Sequence, residues 1–247
     1  MAVARTFRFA GFELGLWAAL YAAYLGLRNV AIGSPDEAFA NAATVVDVER
    51  ALGLFHEVAV QQALAAGLGL ERFFDLYYMV GFGPVVFATL VWFALRHREA
   101  YRELRTVLLL SIAIASLAYV LLPTAPPRLV DGLGIADTVG LAGHDTGSFA
   151  GIKFNPYAAM PSMHVGWSLL VGLIGLRVAR HPLARVLFIA HPIVMTVTVT
   201  ATGNHYFLDS IVGIAVALAA LAVLRVPKPR LGSLRPQPTL GPPCSSH

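Results

Sequence analysis

The chain has 247 residues, 57% of them hydrophobic and only 13% charged, with a mean hydropathy of +0.69. Soluble domains carry about 25% charged residues, so this composition excludes an ordinary soluble protein and points to an integral membrane protein of one domain. The net charge of +4 is spread between apolar runs rather than over one face, which argues against a nucleic-acid partner, and the single cysteine, Cys244, excludes a disulfide framework or a cysteine metal site.

A membrane span needs about 20 mostly apolar residues. The first candidate covers residues 9–26, behind Arg5 and Arg8. Its length, its Glu13 and the lack of a small-residue cleavage site favour a retained span over a signal peptide. Residues 36–66 are more polar. There Phe39, Ala42, Val45, Val46, Leu52 and Phe55 recur at helical spacing among Asp36, Asp47, Arg50 and Glu57. The pattern predicts one or two amphipathic helices lying on the membrane or capping the bundle, with a break at Gly53. Further spans are expected over residues 73–95, 106–122, 162–178, 186–202 and 206–224. The stretch 227–247 is rich in Pro, Gly and Ser and is expected to be disordered.

The expected fold is therefore all-α: a polytopic six-transmembrane-helix bundle over residues 1–226, with an extra amphipathic helical segment at 36–66 between the first and second spans. Lysines and arginines orient it. Thirteen of the eighteen precede the first span, follow the sixth, or fill the second-to-third and fourth-to-fifth connections. Six alternating spans put all thirteen on one side. The positive-inside rule then places the protein in the cell membrane with both termini and the 227–247 tail cytoplasmic, and segment 36–66 extracytoplasmic. The same arrangement gathers Arg128, His164, His205 and Asp209 at the outer face.

His205 and Asp209 are four residues apart, so on a helix their side chains would share a face. A carboxylate there can accept from one imidazole nitrogen and leave the other free to attack. The bland alternative is a structural His–Asp pair closing a helix end. His164 follows Pro161-Ser162, a pair that reads as a helix start, with Ser162 as its cap. Free N–H groups at such a terminus suit a phosphate, and a histidine in the first turn could protonate a departing ester oxygen. Taken alone, His164 reads more readily as an interfacial histidine bonded to backbone than as a catalytic acid. Arg128 follows a proline-stiffened exit from the third span on the same face, and its guanidinium suits phosphoryl oxygens.

Pro161-Ser162-Met163-His164 and the His205 to Asp209 segment, in this order, resemble the motifs of the type 2 phosphatidic acid phosphatase superfamily. The resemblance covers residues 120–215. It implies a six-helix core, His205 as the nucleophile forming a phosphohistidine, Asp209 as its orienter, and His164 as the general acid that later serves as base. Three features depart from the classical phosphatases. Met163 stands where they have glycine, Thr198 to Asn204 contains no arginine, and Pro126-Pro127-Arg128 stands loosely for their first motif. In motif style the chain is closer to the inositol phosphorylceramide synthase-like branch, whose members transfer a phospho-headgroup between lipids. A phosphodiester carries one charge fewer than a monoester and needs fewer arginines.

The expected activity is thus that of a lipid phosphatase or phosphotransferase working without a cofactor or metal. Its expected partners are the bilayer and a phospholipid or an isoprenoid or sphingolipid phosphate, and Arg128 and Ser162 are expected to bind the phosphate. A membrane transporter or channel using the same polar residues is the main alternative, and a haem protein ligated by His164 and His205 a remoter one. Tyr77, Tyr78, His56, His144, Lys153, Asn155 and Tyr157 are secondary candidates for headgroup contact. The loop 131–155 is a candidate lid, while His97, His181 and His191 are expected to be uninvolved.

Overall fold

The computed structural model describes residues 34–68, 70–141, 148–149, 152–153 and 155–225, together with Gly11, Glu13, Gly15, Leu16 and Ala19. The expected first span (apart from those five residues) and the expected tail thus lie outside the described residues. Helix α1 (Pro35–Leu52) begins where the Ser34 hydroxyl accepts the Glu37 N–H and Pro35 occupies the first turn. It ends at Gly53, where the break was expected. Its buried stripe is Ala38, Ala42, Val45, Val46 and Glu49, and the apolar part packs with Ala125 and Tyr206. Segment 36–66 does form two helices, the second being α2 (Glu57–Leu68).

The expected span 73–95 is two helices, α3 (Glu71–Val80) and α4 (Gly83–Arg96), bent by 45° at the break. The reason is local: Gly81-Phe82-Gly83-Pro84 brackets the bend with glycines, and Pro84 lacks an N–H for a continuous ladder. Helix α5 (Arg98–Leu121) starts eight residues before the expected span and takes in the basic connection. There Glu13 is accommodated: it accepts from the Tyr101 hydroxyl at 2.7 Å and pairs with Arg105. A 3-10 turn (Pro127–Leu129), one helical turn α6 (Thr138–Leu141) and a two-residue antiparallel ladder of β1 (Ser148–Phe149) with β2 (Ile152–Lys153) make up the long loop.

Helices α7 (Met163–Val178), α8 (Pro182–Ala201) and α9 (Phe207–Arg225) complete the bundle close to the expected limits. Among the described residues, α5, α8 and α9 are long and apolar enough to cross a membrane, and the bent α3–α4 pair makes a fourth. Helix α7 has only 16 residues, or about 24 Å at 1.5 Å each, short of a hydrocarbon core of about 30 Å. It packs against α4, α5, α8 and α9. Surrounded by protein, it need not match the lipid thickness. Phe87, Leu95, Leu187, Ile193 and Val223 point outward, the pattern expected where lipid rather than water is the solvent.

Small residues set how close α7 and α9 come. A Cβ on Gly166 would lie 2.7 Å from the Gly213 carbonyl oxygen, and one on Gly213 would collide with the Ser162 carbonyl. The crossing is backbone against backbone, the close approach that membrane helices use when polar glue is absent. It brings the start of α7 against the start of α9. The far end of the bundle carries the charge: Arg177 grips Glu103 with two hydrogen bonds, and Arg225 lies 3.6 Å from the same carboxylate.

Candidate active site

His205 comes from the turn joining α8 to α9, and the sequence shapes that turn. The N–H of Asn204 bonds to the Val199 carbonyl and that of Gly203 to the Thr200 carbonyl, while Gly203 adopts φ +67°. This is the glycine-terminated helix end in which the left-handed residue reverses the chain. Gly203 is also crowded: a Cβ there would meet Ile135 at 2.8 Å and Arg128 at 3.1 Å. Its carbonyl accepts the Arg128 N–H at 2.9 Å. One glycine thus ties the arginine loop to the histidine turn.

His205 precedes α9 by two residues, so its link to Asp209 is not the shared helix face expected from a four-residue spacing. Asp209, in the first turn of α9, reaches back: its Oδ2 accepts the Tyr206 N–H at 3.0 Å and lies 3.4 Å from His205 Nδ1. The shorter contact of Nδ1 is the Ala159 carbonyl, at 2.8 Å. Two acceptors facing one ring nitrogen require it to carry the proton. Nε2 is then left with its lone pair. Ala159 was not foreseen, since a backbone carbonyl leaves no signature in the residue type.

That Nε2 lies 3.3 Å from His164 Nδ1. The two histidines, 41 residues apart in sequence, meet because α7 and α9 start side by side; the Ser162 N–H even donates to the Asp209 carbonyl, at 2.9 Å. His164 is otherwise held by rings. Tyr78 stacks on it at 4.9 Å between centroids and Phe82, at the α3–α4 bend, lies at 4.3 Å. Tyr78 was a secondary candidate, but Phe82 was missed because an aromatic residue in an apolar run reads as lipid-facing.

Arg128 sits in the 3-10 turn with its side chain largely covered, Nε 3.5 Å from Asp137 Oδ2, and near enough to His164 for its charge to act there. Ser162 occupies the cap position of α7, yet its hydroxyl makes no cap bond and is buried without a partner among the described residues. The other secondary candidates lie apart from this cluster. Tyr77 bonds His191 at 2.7 Å, Asn155 accepts the Tyr157 N–H, Tyr157 packs on Phe39, and His56 is exposed. His144 and the Lys153 side chain lie outside the described residues. Part of the loop expected as a lid is anchored: Gln61 bonds Ala136 through both N–H and C=O, and Thr138 bonds Asp75 at 2.6 Å.

Sequence reasoning also missed two acids that it had left on a polar surface or not singled out. Glu57 and Glu49 are fully buried. Their Oε1 atoms accept the N–H groups of Phe207 and Leu208, at 3.0 and 2.6 Å. With Asp209 on Tyr206, three carboxyl groups receive three consecutive N–H donors at the entrance to α9, donors that a helix start leaves without internal partners.

The family model of the PAP2 superfamily matches residues 43–223, the region that contains every residue of this cluster. Among solved structures, the crystal structure of LpxE from Aquifex aeolicus superposes with a TM-score of 0.50 at 15% identity, over 70% of this chain and 92% of that one, which shows a shared fold. No curated protein matches the chain.

Proposed function

The chain belongs to the PAP2 superfamily, and on that premise we propose that it is a membrane lipid phosphatase or phosphotransferase that works through a phosphohistidine on His205, with His164 as acid and base. The observation that carries the reading is the pairing of His205 Nε2 with His164 Nδ1 while His205 Nδ1 faces Ala159 and Asp209. In the first step Nε2 attacks phosphorus, the phosphorus–oxygen bond to the leaving alcohol breaks, and His164 gives that oxygen its proton. The positive charge on the His205 ring spreads through Nδ1–H to the Ala159 carbonyl and the Asp209 carboxylate. In the second step His164 takes a proton from water or an alcohol, whose oxygen attacks phosphorus and releases Nε2. A separation of 3.3 Å leaves no space for a phosphoryl group, so the two rings part when substrate enters.

Arg128 and the unpartnered Ser162 hydroxyl would receive the non-bridging oxygens. Arg128 already faces Asp137, and Thr198 to Asn204 supplies no second arginine. With so little net positive charge, the site suits a phosphodiester monoanion better than a monoester dianion. We therefore place the chain nearer the headgroup-transferring, inositol phosphorylceramide synthase-like branch, with the site on the extracytoplasmic face. The substrate would be a phospholipid or an isoprenoid or sphingolipid phosphate. The test incubates the purified protein with labelled phosphatidic acid and labelled phosphodiester lipids, with and without a lipid alcohol. A new headgroup-bearing lipid, rather than free phosphate, is the expected product. An acid-labile phosphoenzyme should be trapped in the native protein and be absent from His205→Ala, whose turnover falls by at least about 10⁴-fold. Full activity in that variant would refute the assignment.

A further inference from the structure

The three carboxyl groups at the α9 entrance pose an electrostatic problem. Glu49 arrives from α1, Glu57 from the first turn of α2 and Asp209 from α9 itself, and all three are fully buried. They sit on three consecutive N–H groups, so the three carboxyl groups lie side by side. Three negative charges in one dry volume repel, and three backbone N–H donors do not offset three desolvated carboxylates. A second observation resolves it. Glu49 and Glu57 accept from adjacent N–H groups, so their carboxyl groups lie side by side, and two buried carboxylates that close cannot both stay charged, so one of the two carries a proton. Among the described residues their Oε2 atoms, both buried, have no hydrogen-bond partner. Among the described residues, the Tyr206 hydroxyl, buried and without a hydrogen-bond partner, also faces the pair, and His205 lies beyond Asp209.

We propose that Glu49 and Glu57 share a single proton and are positioning residues for His205, clamping the two N–H groups that follow the histidine turn so that Asp209 and Nε2 keep their aim. The proposal rests on the reading of His205 as nucleophile. Burial first, and then the neighbouring Glu57 carboxyl, push the Glu49 carboxyl up to about 8. The sign follows: from the ordinary carboxyl range up to about pH 8 the folded protein holds a proton that the unfolded chain has released. The clamp is intact below that point, and stability falls as pH rises toward it. Above it Glu49 is charged and repels the neighbouring carboxyl groups, and the α9 entrance loosens.

Two measurements on the purified full-length protein test this. Infrared difference spectra between about pH 6 and about pH 10 should show the C=O band of a protonated carboxylic acid disappearing with a midpoint near 8, and Glu49→Gln should remove that band. A spectrum without a titrating acid band, or one unchanged in Glu49→Gln, overturns the shared proton whether or not the protein turns over lipid. In kinetics with phosphatidic acid and a phosphodiester lipid, the native pH profile should fall on the alkaline side near pH 8, and Glu49→Gln, locked in the protonated form, should abolish that fall. Glu49→Ala should lower kcat by about a hundredfold with KM nearly unchanged, the mark of a displaced nucleophile. Histidine ¹⁵N spectra give the same answer without turnover: the His205 tautomer should become mixed in Glu49→Ala. An alkaline limb retained in Glu49→Gln, or an unmoved His205 tautomer in Glu49→Ala, overturns the positioning role.

Discussion

The two histidines are held in opposite ways. His205 sits in a polar frame: a carbonyl and a carboxylate on one ring nitrogen, a glycine-reversed turn before it, and three capped N–H groups after it. His164 sits in an aromatic one, against Tyr78 and Phe82, and among the described residues its ring nitrogens have a single protein hydrogen bond, to His205 itself. Hydrogen bonds fix direction within a few tenths of an ångström, whereas ring contacts restrain a plane and let it slide. A nucleophile needs the first. An acid that must leave one partner, follow a departing oxygen and return for water needs the second.

The sharpest way to break this contrast is to remove the mobile half. His164→Ala should cost about 10²- to 10⁴-fold in turnover of a lipid ester, the range for general acid catalysis. The loss should shrink greatly for a p-nitrophenyl ester, whose leaving group needs no proton. Equal losses on both substrates would show that His164 binds or orients rather than protonates. The polar half gives the next effect. Asp209→Asn keeps the shape but removes the charge that stabilises the imidazolium, a change worth about 10⁴-fold where aspartate alone orients the histidine. Here the Ala159 carbonyl is the nearer partner of Nδ1. The expected loss is therefore smaller, about a hundredfold in kcat with an unchanged phosphoenzyme trap. A loss as large as that of His205→Ala would mean that the carbonyl contributes nothing to orientation.

What the sequence revealed divides along the same line. His164, His205, Asp209 and Arg128 were legible because titratable side chains at the ends of apolar runs are costly and so stand out. The frame around them was not. Ala159 acts through its backbone, and Phe82 hides among apolar residues. Glu49 and Glu57 lie in helices whose alternation of polar and apolar residues reads as one wet face, although those carboxyl groups point inward to a helix end that comes about 150 residues later. The helix positions were read well because hydropathy reports them directly. The α3–α4 bend was missed although Gly81 and Gly83-Pro84 announce it, because a window wide enough to find a span averages over a break.

That bend carries the smallest and most discriminating prediction. Phe82 lies where the chain changes direction and covers both His164 and Trp167, at 4.3 and 5.8 Å between ring centroids. Phe82→Leu keeps apolar volume but removes the flat surface against which the imidazole can slide. If the aromatic frame merely fills space, activity should barely change. If it guides the acid, kcat on a lipid ester should fall about tenfold, within the span expected for a partly misplaced acid, while KM and the rate with a p-nitrophenyl ester stay close to native. The distinction lies in the leaving group and not in the size of the loss. A variant equally impaired on both esters would place Phe82 with the packing of the bundle and leave His164 without a guide.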